Sequence, residues 1–155
     1  MPELPDLQAF SQNLSKRLCG KRVLKIHAIH TKKLKTPKKE LQQAIEGTVL
    51  TSVYREGKEL HFAFDSGHVL GLHMMLRGEL RYFEKTNEHK YTILELLFED
   101  ETGLALTDFQ KQATAILDPE PRLAPDALSP SAGYKFLKEK LNSSKSPIKK
   151  LLMDQ

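Results

Sequence analysis

The stretch from Leu60 to Leu117 most restricts what this chain can fold into, because turn residues cut it into short apolar segments with no helical repeat between them. Leu60, Phe62 and Phe64 alternate with other residues, the period of a strand that buries one face. Asp65-Ser66-Gly67 supplies a turn before a second strand over His68–Met74. Further strands are predicted at about Glu79–Glu84, Thr92–Phe98, Leu104–Thr107 and Ala113–Leu117, with a hairpin turn over Asp100–Gly103. Strands this short and this regularly spaced predict an antiparallel sandwich or barrel.

Helical patterns flank this region. Leu7, Phe10, Leu14 and Leu18 form one apolar stripe on a helix starting at about Pro5. Pro5 suits a first turn, where a missing N–H costs nothing, and Gly20 suits the C-terminal stop. Pro2 and Glu3 then sit at a helix N-terminus, which favours an anion such as a phosphate. Val23, Leu24, Ile26 and Ile29 predict a strand within Arg22–His30, and a short helix follows near Lys39–Glu46, closed by Gly47. Asp118–Pro130, which holds four of the eight prolines, reads as an extended linker. Tyr134, Leu137 and Leu141 mark a helix from about Ser131, and a last segment starts at Pro147. The expected class is α+β, a mainly antiparallel β-sandwich flanked by an N-terminal helix and C-terminal helices. The sandwich domain is expected over residues 1–130, and residues 131–155 read as the opening helices of a second domain that continues past Gln155.

At 155 residues the chain suffices for one compact domain with a real core. No apolar run approaches the roughly 18 residues of a membrane helix, and the N-terminus lacks the pattern of a signal peptide, so a cytoplasmic protein is expected. Cys19 is the only cysteine, which excludes an intrachain disulfide or a multi-cysteine zinc site within these residues. The charge excess, 24 Lys+Arg against 20 Asp+Glu, suits a polyanion only where it is clustered. Lys32, Lys33, Lys35, Lys38 and Lys39 form one cluster, and Lys145, Lys149 and Lys150 another. Taken alone, the first cluster reads as a solvated loop.

Pro2 is the most informative single residue. With Met1 removed, it becomes a secondary amine at the chain terminus, and α-amino groups titrate at about 8, so a useful fraction is nucleophilic at neutral pH. Attack on a sugar C1′ gives an iminium, an electron sink that acidifies the neighbouring sugar protons and promotes strand cleavage by elimination. Glu3 stands beside it as a candidate general acid/base.

Met1-Pro2-Glu3-Leu4-Pro5-Asp6 resembles the opening of the formamidopyrimidine-DNA glycosylase/endonuclease VIII family, usually MPELPE. Three further blocks follow in the family's order. Glu56-Gly57-Lys58-Glu59-Leu60, heading a hairpin, resembles RRGKYL. Leu72–Leu80 resembles HLGMSGRL. The segments Asp118–Leu128 and Ile148–Gln155 resemble the family's linker and the opening of its helix-two-turn-helix domain. The resemblance implies a DNA glycosylase with AP-lyase activity (β/δ-elimination) on oxidised bases, acting in base-excision repair. In that scheme the enzyme works as a monomer on damaged double-stranded DNA in the cytoplasm, associated with the nucleoid. Flipping the nucleotide out of the stack precedes such chemistry. Pro2 is implied as the nucleophile, Glu3 as the proton-transfer residue and Lys58 as a catalytic lysine on the backbone phosphate. No cofactor is expected in this chain, since the family's zinc finger would lie beyond Gln155. The 155-residue piece alone is expected to be inactive and to bind DNA weakly.

Five DNA-binding positions follow from the same resemblance: His73, Leu76, Gln110, Gln112 and Lys149. His73 reads either as a phosphate contact or as a half-buried strand histidine. Met74, Met75 and Leu76 would ordinarily be core, but the resemblance puts Leu76 where the family has a wedging methionine. Asp108-Phe109-Gln110-Lys111-Gln112-Ala113 corresponds to DPRRFG, with Gln110 at the Arg position and Gln112 at the Phe position, so the charged reader and the stacking aromatic are absent from those places. Met75 replaces a glycine and Asp6 a glutamate. These departures motivate an alternative of a different class, a non-catalytic paralogue that binds damaged DNA. A third reading, an N-terminal-proline enzyme on small carbonyl compounds, leaves Lys58 and the basic loops without a task.

Overall fold

A computed structural model describes residues 2–30, 32, 34–121 and 130–153. The chain divides into two compact units, Met1–Pro119 and Glu120–Gln155. In the first, helix α1 (Leu4–Leu18) is followed by β1 (Val23–Ala28), α2 (Lys38–Ile45), β2 (Leu50–Glu56), β3 (Glu59–Phe64), β4 (Val69–His73), β5 (Glu79–Glu84), β6 (Thr92–Phe98), β7 (Thr102–Thr107) and β8 (Thr114–Leu117). In the second, a 3₁₀ turn at Pro130–Ala132 leads into α3 (Tyr134–Asn142) and α4 (Ile148–Met153). Among the described residues no helix is long and apolar enough to cross a membrane.

The strands form two antiparallel four-stranded sheets, ordered β1-β6-β7-β5 and β2-β3-β4-β8. Leu60, Phe62, Leu70 and Leu72 from one sheet and Ile26, Leu94, Leu96 and Leu106 from the other join a single core with Leu7 and Leu18 of α1. Burying one face of each sheet against the other is what the period-two pattern requires. The predicted α+β sandwich is the observed architecture.

Several local expectations change. Leu24 and Ile29 are exposed, because the register shift between Val23 and Lys25 brings Val23 and Ile26 to the core instead. The hairpin turn predicted over Asp100–Gly103 closes earlier, and Thr102 and Gly103 already lie in β7. Gly103 is needed there for packing, since a Cβ would fall 2.1 Å from Cζ of Phe83. Asp118 is not a linker residue: its Oδ1 accepts the Val69 N–H at 2.8 Å and its Oδ2 lies 2.7 Å from Nδ1 of His68, which ties the end of β8 to the start of β4. Burial opposes the Asp118 charge, yet these two partners outweigh it and hold its carboxyl below the usual range. Within that stretch, 122–129 lie outside the described residues. The helix expected from Ser131 begins at Tyr134. Strand β2 carried no distinct signal in the sequence beyond the turn that follows it.

Candidate active site and nucleic-acid interface

Helix α1 is fastened to β2, an edge strand. Ser15 Oγ donates to the Val53 carbonyl at 2.8 Å and accepts the Val53 N–H at 3.2 Å, so a hydroxyl occupies backbone positions that another strand would otherwise fill. Arg55 Nε donates to Gln8 Oε1 at 3.3 Å. At the helix start Glu3 takes the cap position, and its N–H donates to Asp6 Oδ2 at 2.9 Å. Asp6, shorter than the family's glutamate, thus still reaches back to order the Pro2–Glu3 segment.

The β2–β3 connection is a two-residue turn in which Gly57, at φ 56°, takes a conformation that side chains disfavour. That turn carries Lys58 to the helix start. Its Nζ lies 3.6 Å from Oε2 of Glu3, with the lysine side chain 25 % exposed. At that separation the two form an ion pair without a tight hydrogen bond, which leaves the ammonium able to take a phosphate oxygen. Beneath the turn His61 is nearly buried, with Nδ1 3.4 Å from Oε2 of Glu56 and Nε2 3.2 Å from Oε2 of Glu59. The ring also meets Tyr54 edge-on at 5.3 Å. Burial, and then the Glu56 charge, push the Tyr54 hydroxyl above its ordinary value.

Two further connections bridge the sheets at one end of the sandwich. His73, the last residue of β4, pairs with Thr114 at the start of β8, and Glu79, the first of β5, pairs with Thr107 at the end of β7. The turns 74–78 and 108–113 therefore share both feet and arch side by side. In the first, Met74 is buried while Leu76 is 64 % exposed. Met75 sits at φ 53°, and the Gly78 N–H donates to the Met74 carbonyl at 2.8 Å, where a Cβ on residue 78 would lie 2.3 Å from that oxygen. The Met75 N–H donates to Nδ1 of His73 at 3.0 Å, so a neutral ring carries its proton on Nε2. In the second, Asp108 is 2 % exposed and its carboxylate accepts the N–H groups of Gln110 (2.9 Å), Gln112 (2.7 Å) and Ala113 (2.9 Å).

Between α1 and the first arch lies a cleft of about 1090 Å³. Pro2, Asp6 and Phe10 line it from the helix, and Leu76, Arg77 and Glu79 from the arch and β5. Phe10, expected in the core, is 40 % exposed and faces this space. The structure thus brings Pro2 and Leu76 to one cleft and sets Glu3 against Lys58. His73, Leu76, Gln110 and Gln112 share the paired arches. Lys149 is exposed on α4 in the other unit. Sequence reasoning missed Asp108, Arg77 and Phe109. Only Asp108 offered a local signal, an aspartate heading a polar turn.

Known proteins resemble this chain in sequence and in fold. Residues 1–115 match the family model described as the formamidopyrimidine-DNA glycosylase N-terminal domain. The formamidopyrimidine-DNA glycosylase of Streptococcus pneumoniae TIGR4 is 29 % identical over 165 residues, covering 100 % of this chain and 60 % of the relative. That of Chloroflexus aurantiacus is 31 % identical over 170 residues, covering 100 % and 59 %. The chain therefore spans about three fifths of the curated relatives it matches. Among solved structures, the Lactococcus lactis enzyme bound non-covalently to DNA containing an AP site aligns with TM-score 0.85 at 23 % identity, over 98 % of this chain and 62 % of that one, a likeness of fold. The same organism's wild-type enzyme in complex with DNA containing N7-benzyl-Fapy-dG aligns with TM-score 0.70 at 26 % identity, over 75 % and 43 %. By these matches the chain belongs to the formamidopyrimidine-DNA glycosylase family, through that family's N-terminal domain.

Proposed function

We propose that this chain carries the catalytic half of a DNA glycosylase with AP-lyase activity, a single-chain enzyme acting on oxidised bases in duplex DNA within the cytoplasm. One observation carries the reading: Pro2 lines an open cleft while the carboxylate beside it lies 3.6 Å from the Lys58 ammonium. Removal of Met1 exposes the Pro2 nitrogen. The amine attacks C1′ of the damaged nucleotide, the N–C1′ bond forms, and the glycosidic bond breaks with its electrons leaving on the base. With its proton passed to the departing base, the nitrogen expels O4′, which takes up a proton as the C1′–O4′ bond opens to the iminium. The iminium acidifies C2′–H, a base removes that proton, and the 3′ phosphate departs. Glu3 relays the protons, and Lys58 holds a flanking phosphate, neutralising charge where it accumulates. His73 Nε2–H and the exposed Lys149 serve as further phosphate donors. Leu76 enters the space left by the extruded nucleotide.

Borohydride reduction of the full-length, Met1-free protein on DNA containing an abasic site is the test. A covalent adduct is expected, absent in Pro2→Gly and reduced in Glu3→Gln. Lys58→Met is expected to lower affinity and to flatten the salt dependence of binding by about one phosphate contact. If a free Pro2 yields no adduct while affinity persists in both N-terminal variants, the chain is instead a non-catalytic damaged-DNA binder.

A further inference from the structure

The hairpin turn that delivers Lys58 stands on two acids. Glu56 and Glu59 are register partners at its feet, so two carboxylates face each other directly across the strands. Like charges so placed repel unless a cation comes between them. His61 takes that place. Its neighbours Leu60 and Phe62 point into the core, which turns the imidazole to the outer face of the sheet, yet the residue is only 4 % exposed. Nδ1 lies 3.4 Å from Oε2 of Glu56 and Nε2 3.2 Å from Oε2 of Glu59. A neutral ring offers one N–H and one lone pair, so one of the two carboxylates would meet the lone pair. Only the imidazolium donates to both.

The other groups around the ring leave that role to the two glutamates. Tyr54, its register partner on β2, meets it edge-on, and burial, then the Glu56 charge, push that hydroxyl up, so it stays neutral. Arg55 donates to Gln8 and to the Gly57 carbonyl. Opposite the ring on β4 stands Gly71, with Pro119 packed over it, and the nearest titratable group along that strand is His73, two residues on.

We propose that His61 is a positioning residue for Lys58: as the imidazolium it clamps Glu56 and Glu59 beneath the turn, keeping both carboxylates off the ammonium that takes the phosphate. When the ring loses its proton, a carboxylate is released one or two residues from Lys58 on the same hairpin and competes with the phosphate for it. The grip of the turn on DNA therefore strengthens as pH falls. The inference rests on the reading that Lys58 holds a backbone phosphate.

The test is binding of the full-length, Met1-free protein to a duplex with an uncleavable tetrahydrofuran abasic site, by fluorescence anisotropy at pH 6 and pH 8.5 over a range of salt. His61→Gln, which cannot become a cation, is expected to bind about fivefold more weakly at pH 6, the worth of one exposed ion pair, and to lose about one phosphate contact from the salt slope. Because His61 is buried, a second variant leaves the ring in place. Glu56→Gln/Glu59→Gln removes the competing carboxylates, so the parent's loss of affinity between pH 6 and pH 8.5 shrinks to the part owed to Pro2 and His73. Adding His61→Gln to that pair, or to Lys58→Met, changes binding by no more than about twofold, since the interaction it controls is already gone. Thermal melts confirm that each variant is folded under the assay conditions. Parent-like binding by His61→Gln at pH 6, or a parent-like pH profile in the double glutamine variant, would overturn the positioning role while Lys58→Met still weakens binding. A Lys58→Met variant that binds as the parent does would bring down the phosphate reading and the positioning role with it.

Discussion

Replacing Asp108 with alanine removes the acceptor for three backbone N–H groups at once. The cost divides by exposure. Ala113 is fully buried, so its N–H has no water to turn to, while Gln110 and Gln112 are exposed and can be rehydrated. One stranded buried donor costs about 1–3 kcal/mol, and two charge-assisted bonds exchanged for water add roughly 0.5 kcal/mol each, giving about 2–4 kcal/mol. For a unit of this size that lowers Tm by about 8–15 °C. Asp108→Asn is the informative control. Oδ2 takes two of the three bonds, so the amide keeps its oxygen there and turns its NH₂ toward the Gln110 N–H, which water reaches. Its loss is about half that of alanine. Thermal unfolding by circular dichroism gives the ordering, and hydrogen exchange at the Ala113 amide gives the location. An alanine variant melting within about 2 °C of the parent, or an asparagine variant as damaged as alanine, would refute the reasoning.

Two other perturbations test separate features. Gly103→Ala sets a Cβ against the Phe83 ring, so the ring or the strand must move, at about 1–3 kcal/mol by urea denaturation with an unchanged m-value. Asp100 is held down to about 2, first by its hydrogen bond from Lys21 and then by Thr102, a depressed carboxyl whose contribution is complete above pH 4 and fades as pH falls through about 2. Asp100→Asn is therefore expected to be less stable than the parent at pH 5, with the gap closing between pH 4 and pH 2, as read by denaturant midpoints.

Much of the fold was legible because strand formation and amphipathic helices write themselves at short range. The segments predicted at His68–Met74, Glu79–Glu84, Thr92–Phe98, Leu104–Thr107 and Ala113–Leu117 all match strands to within two residues. Where the reading failed, the deciding contact came from elsewhere in the chain. Gly103 looked like a turn residue because glycine permits turns, yet its smallness is needed against Phe83 on the neighbouring strand. Phe10 kept helical spacing with Leu7 and Leu14 but met an open cleft where a core was expected.

The sequence by itself determined the element types, the two-sheet antiparallel class, and, through four ordered blocks, the family and its candidate residues. Tertiary structure alone decided that Lys58 comes to Glu3, since a turn between β2 and β3 meets the helix start only when Ser15 fastens α1 along β2. It also decided that Met74 turns inward while Leu76 and Phe109 stand out on neighbouring arches. Local periodicity states which residues share a face. Which faces meet, and which turns end up side by side, depends on strand register between distant segments, here His73 with Thr114 and Glu79 with Thr107.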